Sequence, residues 1–249
     1  MIHKIALLLI IIGTLFAKTP EQLFEEGNYA MVEQNYKNAI QAYESILELG
    51  FESGELYYNL GNAYYRVNYI GLATWAYYNA LSMKPRDKDT MHNLNVTQAR
   101  QLDRIEMPKP FILLDFYRKL KGSFTFQEFI YFGGALLMIE SLVVLLIQFG
   151  WVSGFFYRYI VTFFLFLILG IHGISIDKYF DDWSSKHSII TANSVNSYSG
   201  PFSDENTILF RINEGMKVEV NKVQDNWIEI ILIDGKKGWI TEESMRTLR

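Results

Sequence analysis

The chain has 249 residues, no cysteine, a formal net charge of −4 and a half-hydrophobic composition in which 16% of residues are aromatic. The missing cysteine excludes disulfides, thiolate metal sites, cysteine nucleophiles and a lipid-modified cysteine behind a leader. The acidic balance gives no basic stripe for nucleic acid, and two dense apolar blocks between charge-richer outer thirds point to a membrane protein rather than one soluble core.

The first 17 residues carry Lys4, an apolar run from Ile5 to Phe16, and Ala17. A short basic start, about a dozen apolar residues and a small residue describe a secretory signal peptide cut after Ala17. The alternative is an uncleaved N-terminal anchor. Either way, the following segment is expected to be exported.

Thr19-Pro20-Glu21-Gln22 then reads as a helix start, with Thr19 as cap, Pro20 in the first turn and Gln22 closing a capping box. Gly27, Ala39 and Tyr43 recur 34 positions on as Gly61, Ala73 and Tyr77. The second copy runs Tyr57-x2-Leu60-Gly61-x2-Tyr64, then Ala73-x3-Tyr77, then Pro85. That is the spacing of a tetratricopeptide (TPR) repeat, a helix–turn–helix unit. Helices are expected at 20–34, 37–48, 54–67 and 71–83, with a capping helix at 89–103 in which Leu94 follows Leu60 by 34. The unit spans 18–106: two repeats and a cap.

First-helix residues line the inner face of such a stack. Asn28 and Asn62 are 34 apart, as are Arg66 and Arg100, and Tyr58 and Tyr65 lie beside them. An Asn amide can bond an extended peptide backbone, and Arg can grip a carboxylate with two parallel bonds. These six residues are the candidate protein-binding groove; the alternative is a solvated helix surface. Segment 19–60 holds eight acidic residues against Lys37 alone, either a surface that steers a basic partner or an ordinary hydrated face.

A connector at 107–127 contains Pro108, Pro110, Phe111, Leu114 and the basic group Arg118 to Lys121. It reads equally as an interfacial amphipathic helix or a plain linker. A hairpin at 128–177 follows, with spans at 129–149 and 159–176. The first span has 13 Leu, Ile, Val or Phe residues and one charge, Glu140. At roughly 0.3–0.6 kcal/mol each they outweigh the roughly 2.5–3.5 kcal/mol cost of the carboxylate. Thr125 with Glu128 makes a capping box at its start. An exported N-terminus puts Arg158 in the cytoplasmic turn and returns the C-terminal domain outside. Lys109, Arg118, Lys119 and Lys121 ahead of the first span oppose that orientation under the positive-inside rule. Glu140 and His172 are intramembrane ionisable groups, read either as an ion relay or as a protonated acid and an interfacial histidine packed between helices.

From 185 to 249 the pattern turns to short β-rich runs at 188–192, 207–211, 217–223, 227–232 and 238–240, with turns at Gly215 and Asp234-Gly235. Asn196, Ser199-Gly200-Pro201, Glu214-Gly215, Val218, Trp227, Asp234-Gly235 and Gly238-Trp239-Ile240 resemble a bacterial SH3-type domain. That resemblance implies a small β barrel binding peptides or cell-wall material, although Tyr198 stands where such domains often carry Arg. Tyr198, Trp227 and Trp239 either line an aromatic groove or, for the two tryptophans, hold the core.

Nothing in the sequence points to catalysis or a cofactor. His3, His92, His172 and His187 are scattered without metal-ligand spacing, no phosphate loop or nucleophile elbow is present, and the adjacent Asp181 and Asp182 diverge. The expected fold is a multidomain membrane protein: all-α TPR repeats, a two-helix transmembrane hairpin and a C-terminal all-β SH3-like barrel. That order, with Leu-Gly-Asn-Ala-Tyr-Tyr at 60–65 and the late Gly-Trp-Ile, resembles BatE-type proteins of the bacterial aerotolerance gene clusters. The resemblance implies an inner-membrane scaffold with periplasmic domains. Its partners would be von Willebrand A-type membrane proteins and a MoxR-type ATPase, in envelope stress. The alternative function is peptidoglycan binding or sensing.

Overall fold

The computed structural model describes residues 18–103, 111–151, 157–184 and 187–248. The expected leader, with its cut after Ala17, and Pro108, Lys109 and Pro110 of the connector lie outside the described residues. Among the described residues the chain forms eight α-helices followed by seven β-strands, a helical region joined to an SH3-like β domain.

Five helices make the first layer: α1 (Pro20–Val32), α2 (Tyr36–Glu48), α3 (Gly54–Arg66), α4 (Ile70–Met83) and α5 (Lys88–Ala99). Thr19 caps α1 and Gln22 returns the bond, as expected. Asn35, Ser53 and Asp87 cap α2, α3 and α5 by accepting backbone N–H bonds. The 34-residue period is physical. Gln34 and Asn68, one period apart, both turn the chain through a left-handed conformation (φ 60° and 64°) between paired helices. A Cβ on Gly27 would fall 2.3 Å from the Tyr43 ring, and one on Gly61 2.7 Å from the Tyr77 ring. Glycine there lets each tyrosine ring lie flat against the preceding helix.

The core of the stack is Tyr43, Tyr57, Leu60, Tyr64, Trp75 and Tyr77 with small Ala39, Ala63, Ala73 and Ala76 between them. Burial raises the phenols of Tyr57, Tyr64, Tyr77 and Tyr78 and pushes Tyr43 up to about 12. Their unfolded value is about 10. The stability these neutral phenols contribute is therefore complete below about pH 10 and lost as pH rises through their folded values. Alkaline unfolding is expected to begin above about pH 10. Tyrosinate absorbance and loss of helical circular dichroism should rise together; ionisation of these groups at full helicity would contradict it.

α5 ends at Ala99, four residues short of the expected boundary, because the chain there turns to the β domain. Gln101 donates to the Gly215 carbonyl (3.0 Å), and Asp103 accepts from the Asn213 backbone N–H (2.7 Å) and side chain (3.1 Å).

The connector forms α6 (Ile112–Ser123), with Phe111, Ile112, Leu113 and Phe116 exposed on its surface. Its far end is tied down: Tyr117 donates to Asp177 (2.5 Å), and Lys121 pairs with Asp177 (2.6 Å) and Asp181. α7 (Phe126–Gln148) starts at the Thr125–Glu128 capping box, and α8 (Tyr157–Ser184) runs beside it. Both are long and apolar enough to cross a membrane, with mean hydropathy 2.3 and 2.2 and only 6% and 11% of the most apolar stretches buried. An apolar surface that the protein leaves uncovered suits lipid rather than a soluble core. α8 is longer than the expected 18-residue span. It is continuous past Ile176 and carries Asp177, Lys178 and Asp181 beyond its apolar run.

Glu140 and His172 are not a pair. His172 packs against Gly133, where a Cβ would meet the ring at 2.5 Å, and its Nδ1 lies 2.9 Å from the Ile168 carbonyl. Glu140 is seven residues along α7, about 10 Å of helix rise away.

The β domain is one antiparallel seven-stranded sheet in the order β3-β2-β6-β5-β4-β1-β7. Its strands are β1 (His187–Ile190), β2 (Ser194–Tyr198), β3 (Ile208–Asn213), β4 (Lys217–Gln224), β5 (Trp227–Ile231), β6 (Lys237–Thr241) and β7 (Met245–Thr247). Two of these exceed the five expected. β2 is rich in Ser and Asn, which hides its alternation, and β7 has three residues. The sheet surrounds a core of Ile190, Ile212, Val218, Ile228, Ile230, Leu232, Ile240 and Met245.

Candidate functional site

The two folded parts meet on the second helices of the stack. α4 has no side-chain cap of its own; Glu214 of the β domain accepts from the Gly71 N–H instead (2.7 Å). A Cβ on Gly71 would sit 2.5 Å from the Ile190 carbonyl, so only glycine admits the β domain this closely. Arg246 pairs with Glu44 (2.9 Å), donates to the Tyr64 hydroxyl (3.3 Å) and stacks 4.9 Å from the Trp75 ring centre. The Trp75 indole donates to the Thr247 carbonyl (2.9 Å), and Ile189 completes the helical core. The face of α3 that carries Tyr58, Asn62 and Arg66 takes no part in these docking contacts.

On that open face α1, α3 and α5 enclose a cavity of about 340 Å³ lined by Met31, Tyr58, Asn62, Tyr65, Arg66, Tyr77, Asn93 and Val96. Four of the six groove residues expected from the sequence, Tyr58, Asn62, Tyr65 and Arg66, come together in it. Asn28 and Arg100 lie outside its lining. Arg100 donates to Asn68 (2.7 Å) and stacks 5.1 Å from the Tyr65 ring centre.

The asparagines do something spacing alone did not suggest. Tyr43 donates to the Asn28 amide oxygen (2.7 Å), which also accepts from Asn59 of the next first helix (3.0 Å). One period on, Tyr77 donates to Asn62 (2.8 Å), which accepts from Asn93 (2.9 Å). The amide oxygens are thus struts between successive helices. Asn59 and Asn93, themselves 34 apart, were the legible signal for this.

The cavity combines aromatic faces, one guanidinium and no carboxylate. Arg66 is exposed, 5.9 Å from the Tyr36 ring centre, and makes no ion pair among the described residues. Burial holds the Tyr77 phenol protonated, well above its ordinary value. A guanidinium can hold a carboxylate with two parallel bonds, and the aromatic faces offer apolar contact beside it.

A second surface lies on the β domain away from the docking strands. Tyr198 of β2 sits opposite Trp239 of β6 and meets the Trp227 ring edge-on at 5.6 Å between centres. All three are partly buried and none belongs to the β core cluster; the tryptophans lie on the outer face of the sheet. Arg211 donates to Asn196 (3.1 Å) on β2 of the same sheet.

The family model for the bacterial SH3 domain matches residues 191–246, which is the β domain alone. Such a domain points to protein or peptidoglycan binding. No curated protein matches the chain.

Proposed function

We propose that the chain is a membrane-anchored adaptor whose helical stack is a TPR unit. The stack's groove takes an extended, carboxylate-bearing segment of a partner protein. The observation that carries this reading is the open first-helix cavity, with Arg66 unpaired and the β domain docked on the other helices. Two weak contacts on one anchored body, groove and aromatic surface, gain from effective concentration. The docking supports one membrane arrangement. With α7 starting and α8 ending beside the same folded parts, a spanning hairpin leaves both parts on one side of the bilayer. We place that side in the periplasm. The partners are those the BatE-type resemblance implies: von Willebrand A-type membrane proteins and a MoxR-type ATPase complex in envelope stress. No catalytic step is assigned to the chain.

The absence of cysteine makes the test direct. Single Val32→Cys and Ile233→Cys variants, both at exposed positions, are expected to react with a membrane-impermeant maleimide added outside the inner membrane. Trp151→Cys, at the far end of α7, should react only after permeabilisation. The reverse pattern would overturn the orientation.

A second reading, peptidoglycan binding, is favoured by one observation: the outward Tyr198, Trp227 and Trp239 surface suits stacking against a sugar–peptide polymer. Retention of the full chain on purified peptidoglycan, abolished by Trp239→Ala, would select it.

A further inference from the structure

Where the helical stack, the hairpin and the β domain meet lies a larger cavity, of about 730 Å³. Its charged lining is basic, Lys178 of α8 and Lys217 at the start of β4, with His187 of β1 beside them and no carboxylate in its walls. Neither lysine has an ion-pair partner among the described residues. The carboxylates on adjoining turns are already held, Asp177 and Asp181 by Lys121 and Glu128 by Arg86. Lys217 is exposed at the start of β4, its ammonium 5.3 Å from the Tyr78 ring centre. Two lysines at the mouth of one cavity, neither paired with a carboxylate among the described residues, suit an anion.

Height decides which anion. Lys178 comes two residues after Ile176, the last residue of the α8 apolar run, and Phe126, the first residue of α7, forms another wall. The cavity therefore opens where the hairpin leaves the hydrocarbon, at headgroup level. Leu81, Met91 and Leu248 give it an apolar side.

We propose that this junction cavity seats the phosphate of an anionic phospholipid headgroup, held by Lys178 and Lys217, with the acyl chains running along the hairpin. A bound lipid would then connect the hairpin to the β domain through its phosphate oxygens. The inference rests on the spanning hairpin of the reading above and is independent of the groove.

The full chain is reconstituted in nanodiscs of phosphatidylcholine alone and of equal parts phosphatidylcholine and phosphatidylglycerol, then released for native mass spectrometry. Wild type should retain phosphatidylglycerol over phosphatidylcholine. Lys178→Gln with Lys217→Gln should cut that retention about thirtyfold, the order expected on removing two lysines near an anionic surface. Lys178→Arg with Lys217→Arg should keep it. The single variant Lys178→Gln reads the site should the double variant melt early. Equal retention of both lipids, or an unchanged glutamine variant, overturns the proposal. If glycerol phosphate in detergent displaces the lipid and raises the melting temperature as much as phosphatidylglycerol does, the anion is a soluble phosphate and the lipid assignment fails. Wild type absent from the membrane fraction would instead overturn the anchoring, a separate readout.

Discussion

Replacing Tyr64 with alanine will lower the unfolding free energy of the chain by about 3–5 kcal/mol, the range for truncating a buried aromatic ring. The ring is 1% exposed and lies in the helical core beside Tyr57 and Trp75. Its hydroxyl donates to Glu44 and accepts from Arg246, and burial followed by the Glu44 bond raises its pKa far above the ordinary phenol value. Tyr64→Phe separates the two contributions. It keeps the ring and leaves the Glu44–Arg246 pair at 2.9 Å, so it should cost only about 1–2 kcal/mol. Denaturant titration of detergent-solubilised protein checks both. The joint should loosen too, so faster amide exchange in β7 is expected for the alanine variant. A loss under about 1 kcal/mol for Tyr64→Ala would mean that this node does not join the two parts.

Reversing one charge in the groove should weaken partner binding at least tenfold without unfolding the chain. Arg66 is exposed at the C-terminal end of α3, so Arg66→Glu should cost only about 1 kcal/mol, from the helix dipole and the lost Tyr36 contact. Recovery of partner proteins from solubilised membranes should nevertheless fall about tenfold or more, roughly 1.4 kcal/mol, because a carboxylate then opposes the carboxylate that the groove is proposed to hold. Arg66→Lys should fall between the two, since an ammonium keeps the charge but loses the two-pronged geometry. Arg100→Ala should have a smaller effect than Arg66→Glu, as its guanidinium is already engaged by Asn68 and Tyr65.

Local and periodic features were legible before the structure. Both capping boxes, Thr19–Gln22 and Thr125–Glu128, form as their spacing demands, because they depend on residues three apart. The glycine–tyrosine contacts at Gly27–Tyr43 and Gly61–Tyr77 follow from a 34-residue repeat that fixes which residues face each other. What was hidden depends on docking between distant segments. Glu214 caps a helix that starts at Ile70, and Arg246 reaches Glu44 across some two hundred residues. No hydrophobic period reports such pairs. The asparagines show a subtler limit. Their spacing marked Asn28 and Asn62 as repeated inward residues, but repetition serves an internal strut as well as a ligand contact, and the Tyr43 and Tyr77 hydroxyls take the amide oxygens. The tryptophans ran the other way. Trp227 and Trp239 alternate with core Ile228 and Ile240, and alternation puts them on the outer face.

Site-specific photo-cross-linking in living cells tests the adaptor reading most directly. A photoreactive phenylalanine analogue is placed at Tyr58, inside the groove, and separately at Val32, which is 78% exposed on α1 and does not line it. Discrete protein adducts are expected from position 58, vanishing in the Arg66→Glu background, and none from position 32. Equal adducts at both positions, or adducts from position 58 that survive Arg66→Glu, would contradict it.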